Sequence, residues 1–195
     1  MLTLGKIYGQ KNVKVMEQEI QLNEHNKQEY PPILVNEYIC RIQSCISNSI
    51  PSSLNSLKQY SQSEQKTIIT AFQNQLLTTF TDSIRSIKWL KEYKMGTRRD
   101  AIDIYGKDCI SGCNVIIELD KPRADQVAKK MLSRIANYLN EPFIYFAICY
   151  PGTDCMNPNE CVKYFGYGKE IVGKINPNAK LIGCIIDNNL NVRFY

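Results

Sequence analysis

The sequence predicts an α/β domain in which helices cover a mixed sheet. Three observations carry that prediction. Residues 101–105 and the β-branched run Val115-Ile116-Ile117 read as two neighbouring strands. Ala124, Val127, Ala128, Met131, Leu132, Ile135 and Leu139 then form an apolar stripe at helical spacing. Unbroken apolar runs follow at 143–150 and 181–186, each of strand length and bounded by turn residues. A helix set between buried strands of this kind needs a crossover, and crossovers place helices on the faces of a sheet.

In chain order the signals begin weakly. Residues 11–20 alternate around Val13 and Val15, and residues 21–28 are polar without a period, which predicts a loop or arm. Pro31-Pro32 breaks the chain, and Leu34, Tyr38, Ile42 and Cys45 predict a helix over 33–46 that ends before Pro51. Ser61-Gln62-Ser63-Glu64 has capping-box form, and Ile68, Ile69, Phe72, Leu76, Leu77 and Phe80 lie on one helical face. The pattern continues through Ile84, Ile87 and Trp89-Leu90, predicting helix to about Tyr93 with Gly96 as its stop. Pro122 suits a first helical turn and Asp120 an N-cap, so a helix is expected over 123–139. Two short helices are expected at 159–166 and 168–175, then a hairpin of 181–186 and 191–195 across Asp187-Asn188-Asn189. The whole chain, 1–195, reads as one domain, with 1–60 an N-terminal helical and loop extension and 61–195 the core.

Composition narrows the chemistry. The 195 residues carry a net charge of +5, a weak pointer to anionic partners. The single histidine, His25, sits in a polar stretch, which excludes a multi-histidine metal site and leaves carboxylates, lysines or cysteines to do any hard chemistry. The cysteines lack the close pairs of a zinc ribbon; Cys149, Cys155 and Cys161 recur every six residues instead. No secretory leader and no apolar run of membrane-spanning length is visible, so a cytoplasmic location with free thiols and no membrane association is expected.

The stretch from Arg98 to Lys130 concentrates the candidate residues. Asp103 and Glu118 fall on the two neighbouring strands, and Glu118 and Asp120 share a face because strand side chains alternate. Three converging carboxylates repel one another unless a hard cation lies among them, and Mg²⁺ (with Mn²⁺ as a substitute) suits such a set. An ion held there polarises a phosphate oxygen and acidifies a water. Gln126 and Lys130 share a face of the next helix, with Lys129 nearby, and Arg123 in its first turn can pair with phosphate. Arg98 and Arg99 add positive charge before the first strand.

These residues resemble the restriction-endonuclease-like, or PD-(D/E)xK, nucleases. The resemblance covers about residues 64–186 by element order, and its specific residues lie within 98–130. It implies a central mixed sheet with the aspartate of the family at Asp103 and the first acid of its tripeptide at Glu118. Two departures stand out: Ile102 replaces the proline, and the tripeptide is Glu118-Leu119-Asp120, with aspartate where the family has lysine. The resemblance then implies that Lys129 or Lys130, or less directly Lys121, supplies the missing ammonium. Gln126 matches a helix glutamine of some branches, and Glu64 stands where many members add an acid from the first helix. The implied activity is Mg²⁺-dependent endonucleolytic cleavage of DNA, of a restriction or repair kind. Asp103, Glu118 and Asp120 would hold metal, while Arg98, Arg99, Arg123 and Gln126 would contact substrate. Cutting both strands usually needs a second copy, so a homodimer belongs to this expectation.

Other readings of the same residues stand beside it. Asp120 serves equally as an N-cap, Asp103 as an exposed cross-strand partner of Arg98 or Arg99, and Lys129-Lys130 as a solvated helix face. The alternative functions are a nuclease-like nucleic-acid-binding module without catalysis, and a protein-interaction module with neither DNA nor metal. Tyr150, Tyr164, Phe165 and Tyr167, in and beside residues 153–167, either stack on bases or pack.

Overall fold

A computed structural model describes residues 32–94, 101–153 and 156–195, with the side chains of 32–34 left out. The arm expected before Pro31, the stop at Gly96, and Arg98, Arg99 and Cys155 lie outside the described residues. The chain divides after Tyr30, and the unit from Pro31 to Tyr195 is an α/β fold.

Helix α1 (Pro32–Asn48) and helix α2 (Gln62–Ser83) precede the sheet. The predicted capping box starts α2: the Ser61 hydroxyl accepts from the Glu64 N–H while the Glu64 carboxylate accepts from the Ser61 N–H. Strands β1 (Ile87–Lys94), β2 (Ala101–Asp108) and β3 (Asn114–Asp120) form an antiparallel meander. Helix α3 (Ala124–Ile135) crosses to β4 (Phe143–Cys149), and helix α4 (Pro158–Ile175) crosses to β5 (Ala179–Ile186), both new strands running parallel to their neighbours. β6 (Val192–Phe194) closes the far edge antiparallel, as the expected hairpin. The strand order is β1-β2-β3-β4-β5-β6.

The alternation of side chains divides the core in two. Val115, Ile117 and Leu119 of β3 face α1 and α2, joining Tyr38, Ile42, Phe72, Leu76 and Phe80. Ile116 faces the other way, joining Val127 and Met131 of α3 and Phe165 and Val172 of α4. Both crossover helices lie on that face, as expected when successive parallel connections keep one hand. No packing break falls at residue 60: Leu54 and Leu57 belong to the same cluster as Phe72.

Helix α3, expected to reach Leu139, ends at Ile135, and Leu132 and Leu139 of its expected apolar stripe are exposed; two further expectations fail. The helix expected to reach Tyr93 ends at Ser83, and residues 87–94 are strand β1. Ile84 and Ile87 are three apart by coincidence; the decisive pattern is Ile87 and Trp89 alternating with exposed Lys88 and Leu90. Trp89 stacks on Phe80 with ring centroids 4.9 Å apart, seating β1 under α2. The two short helices expected at 159–175 are one, capped by the Asn157 side chain with Pro158 in its first turn. Gly168 does not break it. A Cβ there would lie 2.8 Å from Leu181 Cδ1 and collide with the Met131 sulfur, so the glycine lets α4 close onto α3 and β5.

Glycine contacts predict opposite effects along this helix. Gly166 and Gly173 are exposed with open space around a Cβ, so G166A and G173A should each raise stability by about 0.5–1 kcal/mol. G168A, and G183A on β5 where Cβ would strike the Phe165 ring, should each lower it by about 1–3 kcal/mol. Chemical denaturation of the four variants checks this; the same sign for all four would contradict the packing described.

Candidate functional site

The site begins with Glu118, a fully buried carboxylate on β3 that faces α3 with Ile116. Burial of a charge demands partners, and α3 delivers two at i, i+4 spacing. Arg134 Nε donates to Glu118 Oε1 at 2.5 Å, and Lys130 Nζ to Oε2 at 3.2 Å. Arg134 also donates to the Ala101 carbonyl at 2.8 Å, so one buried guanidinium ties the start of β2 to the end of β3.

Lys130 gathers the remaining acids. Its Nζ lies 2.8 Å from Asp120 Oδ1 and 3.8 Å from Asp103 Oδ2. The predicted convergence of Asp103, Glu118 and Asp120 is therefore present, with an ammonium at its centre. Asp120 is the end of β3 rather than an N-cap; Arg123 occupies the cap position of α3 and makes no side-chain cap bond. Of the two lysines only Lys130 reaches the cluster, whereas Lys129 is exposed. Arg123 and Gln126 are also exposed and both donate to Asp125, at 3.2 and 2.7 Å. The structure does not bring either to the acids. Glu64 stays in the capping box, and the Lys121 ammonium donates to Gln65 Oε1 at 2.9 Å.

Asp103 meets the cluster edge-on, where the sheet opens. Pairing of β2 with β3 runs from Lys107↔Asn114 to Ile104↔Ile117 and stops. Beyond it the Leu119 N–H donates to Asp103 Oδ2 at 2.7 Å, so a carboxylate stands where a β2 carbonyl would continue the ladder. The β1–β2 ladder also breaks there, at Glu92 opposite Asp103. Ile102 and Ile104 are two apart, yet they bury on opposite faces of the sheet. Across from them Lys91 donates to Asn74 of α2, while Tyr93 stacks on Tyr105 on the α3 side, centroids 4.2 Å apart. Period-two alternation forbids this in regular strands. The irregular residue is Glu92, whose φ of 49° lies in the left-handed region at a cost of about 1–2 kcal/mol for a residue with a Cβ.

Gln73 spans this break. It is buried on the apolar face of α2, and its amide donates to the Asp103 carbonyl at 2.7 Å and to Glu92 Oε1 at 2.9 Å. Gln73, Glu92, Asp103, Lys121 and Tyr150 line a groove of about 410 Å³ on the α2 side of the sheet. Asp103 thus stands between the groove and the charged cluster. Tyr150 belongs to that groove, Phe165 is core, and Tyr164 and Tyr167 meet edge to face near the surface. Sequence reading missed Arg134, Gln73 and Glu92. Arg134 had a signal, its place one turn after Lys130; a glutamine among Phe72, Leu76 and Phe80 was a second.

Charge and burial set the protonation of the cluster. Burial, with Asp103 adding to it, pushes Glu118 up to about 7 against the pull of Lys130 and Arg134. Burial also raises Asp120. For Lys130, burial acts to lower the ammonium, but Glu118, Asp103 and Asp120 outweigh it and hold the group above its ordinary value. As placed, no group of three or more His, Cys, Asp or Glu among the described residues is set to hold a metal. The Lys130 nitrogen has that position.

The Glu118 shift fixes the sign of a pH effect. Between 4.5 and about 7 the folded chain keeps a proton that the unfolded chain has released, so stability falls as pH rises through this window. The full contribution is on the order of 3 kcal/mol. E118Q removes it, and its stability should vary less with pH across that window than that of the unaltered chain. Urea denaturation at a series of pH values measures both curves, and parallel curves would contradict the assignment.

No family model, curated protein or solved structure matches the chain, so the geometry above carries the functional reading. No helix among the described residues is long and apolar enough to cross a membrane.

Proposed function

We propose that the chain is a divalent-metal-dependent endonuclease that hydrolyses DNA phosphodiester bonds, with a restriction-endonuclease-like core. The observation that carries the reading is the meeting of Asp103, Glu118 and Asp120 around the ammonium of Lys130 at the opening between β2 and β3. The helix thereby provides a lysine beside a tripeptide, Glu118-Leu119-Asp120, that has none. Element order supports the same reading: helix, three-strand meander, helix, strand.

The donor chemistry fits Mg²⁺ or Mn²⁺, with Asp103, Glu118 and Asp120 as the residues that would hold the ion once Lys130 withdraws along its flexible stem. A bound ion supplies polarisation of a phosphate oxygen and an acidified water. The chain's own groups do the rest. Arg134 fixes one oxygen of Glu118 and so orients the other. The Leu119 N–H fixes Asp103 Oδ2 and leaves Oδ1 to ligate. Lys130 keeps a positive charge beside the reacting phosphate, where charge develops in the transition state. DNA is the substrate on this reading, and two-strand cutting would call for a homodimer.

One observation favours a second reading, a non-catalytic binding module. Lys130 and Arg134 offset two of the three carboxylate charges, and each acid has a partner without any ion. Incubation of plasmid DNA with the purified chain and Mg²⁺ or Mn²⁺ separates the two. The nuclease reading predicts cleavage that falls to background in D103A/E118A and by roughly 10²–10³-fold in K130M, with K129M unaffected. Metal must displace the proton on Glu118, so the rate should rise with pH through about 7. Salt-dependent DNA binding without cutting, across divalent metals, would establish the binding module instead.

A further inference from the structure

The break in the β1–β2 ladder is built rather than accidental, because three independent groups agree on it. Glu92 holds the left-handed backbone, Ile102 and Ile104 show the change of face, and the Gln73 amide joins both sides of the break. Gln73 is 5% exposed on a helix face otherwise made of Phe72, Leu76 and Phe80, where a leucine would pack without needing partners. Its two donated bonds end on the two residues that face each other across the break. The consequence falls on Asp103, whose side chain leaves the regular alternation and enters the gap, where the Leu119 N–H and Lys130 meet it.

We propose that Gln73 and Glu92 are positioning residues: their clamp sets the backbone kink that aims the Asp103 carboxylate into the gap between β2 and β3. In regular strand geometry Ile102 and Ile104 would share a face, and the Asp103 side chain would point to one face of the sheet rather than along it. The role of Glu92 is then divided. Its backbone makes the kink, while its exposed carboxylate only adds to the hold on the Gln73 amide, whose bond to the Asp103 carbonyl carries the clamp. The inference rests on the reading of Asp103 as part of the functional site, yet its geometry is testable without activity.

Amide hydrogen exchange at Leu119, followed in the full chain by NMR, reports the Asp103 carboxylate directly. Q73M keeps the buried volume and removes both bonds; it should speed Leu119 exchange by roughly 10- to 100-fold, the size expected for one hydrogen bond to a charged acceptor. E92V should do the same, because a β-branched residue resists the left-handed region. E92G, which adopts that region freely, should stay within about threefold of the unaltered chain. Amides of β4 and β5 show whether each variant is folded. Unchanged Leu119 exchange in folded Q73M, or equal effects of E92G and E92V, would overturn the proposal. If the unaltered chain cleaves DNA, Q73M and E92V should lower kcat with KM little changed, and E92G should lower it less. If it cleaves nothing, the nuclease reading fails while the exchange pattern still decides the role of the clamp.

Discussion

The site depends on how one carboxylate is neutralised. Glu118 lies in the middle of the sheet with no solvent contact, so its charge must be met from within the fold. Arg134 and Lys130 meet it from α3, and their i, i+4 spacing fixes which face of that helix lies on the sheet. Val127, Met131 and Ile135 bury beside them, so the apolar stripe and the charged pair specify the same orientation. Removing both cations would leave a buried acid without a counter-charge, which costs far more than an exposed ion pair contributes.

The second constraint is the opening of the sheet. A regular meander would set Asp103 opposite Glu118 on the α3 face, whereas here its carboxylate turns edge-on toward the Leu119 N–H. The kink at Glu92 lies beside the point where β2–β3 pairing ends, the Leu119 N–H takes a carboxylate partner, and Asp103 stands at the wall of the groove on the opposite face. The charged cluster on the α3 side and the polar groove on the α2 side therefore share one residue. A substrate in that groove would meet Asp103, Lys121 and Tyr150 together. Strain concentrated at such a point is characteristic of sites in which geometry serves chemistry rather than stability.

Much of this was legible in the residues, and the failures have physical reasons. Val115-Ile116-Ile117 followed by Glu118-Leu119-Asp120 has only one good placement, a buried strand with acids at its end, and it was found. Lys130 was reachable from helical spacing, but spacing could not separate it from Lys129; which of them lies over β3 depends on the rotation of α3, set by tertiary packing. Arg123 and Gln126 were placed near the acids for lack of that rotation. β1 was read as helix because Ile84 and Ile87 continue the spacing of α2, and only Trp89 against Phe80 shows the change of period. The kink was invisible, since glutamate at position 92 carries no preference for a left-handed backbone. Arg134 stands one turn after Lys130, but an arginine on an amphipathic helix most often faces solvent, so spacing alone does not mark it as buried.

On the proposed function, the space now filled by the Lys130 ammonium is a divalent-cation site. Calorimetric titration of Mn²⁺ into the unaltered chain, D103N/E118Q and K130M tests it most directly. The account predicts one Mn²⁺ per chain, its loss in D103N/E118Q, and tighter binding in K130M because the competing ammonium is gone. Absence of binding in both the unaltered chain and K130M, or binding that survives D103N/E118Q unchanged, would contradict it.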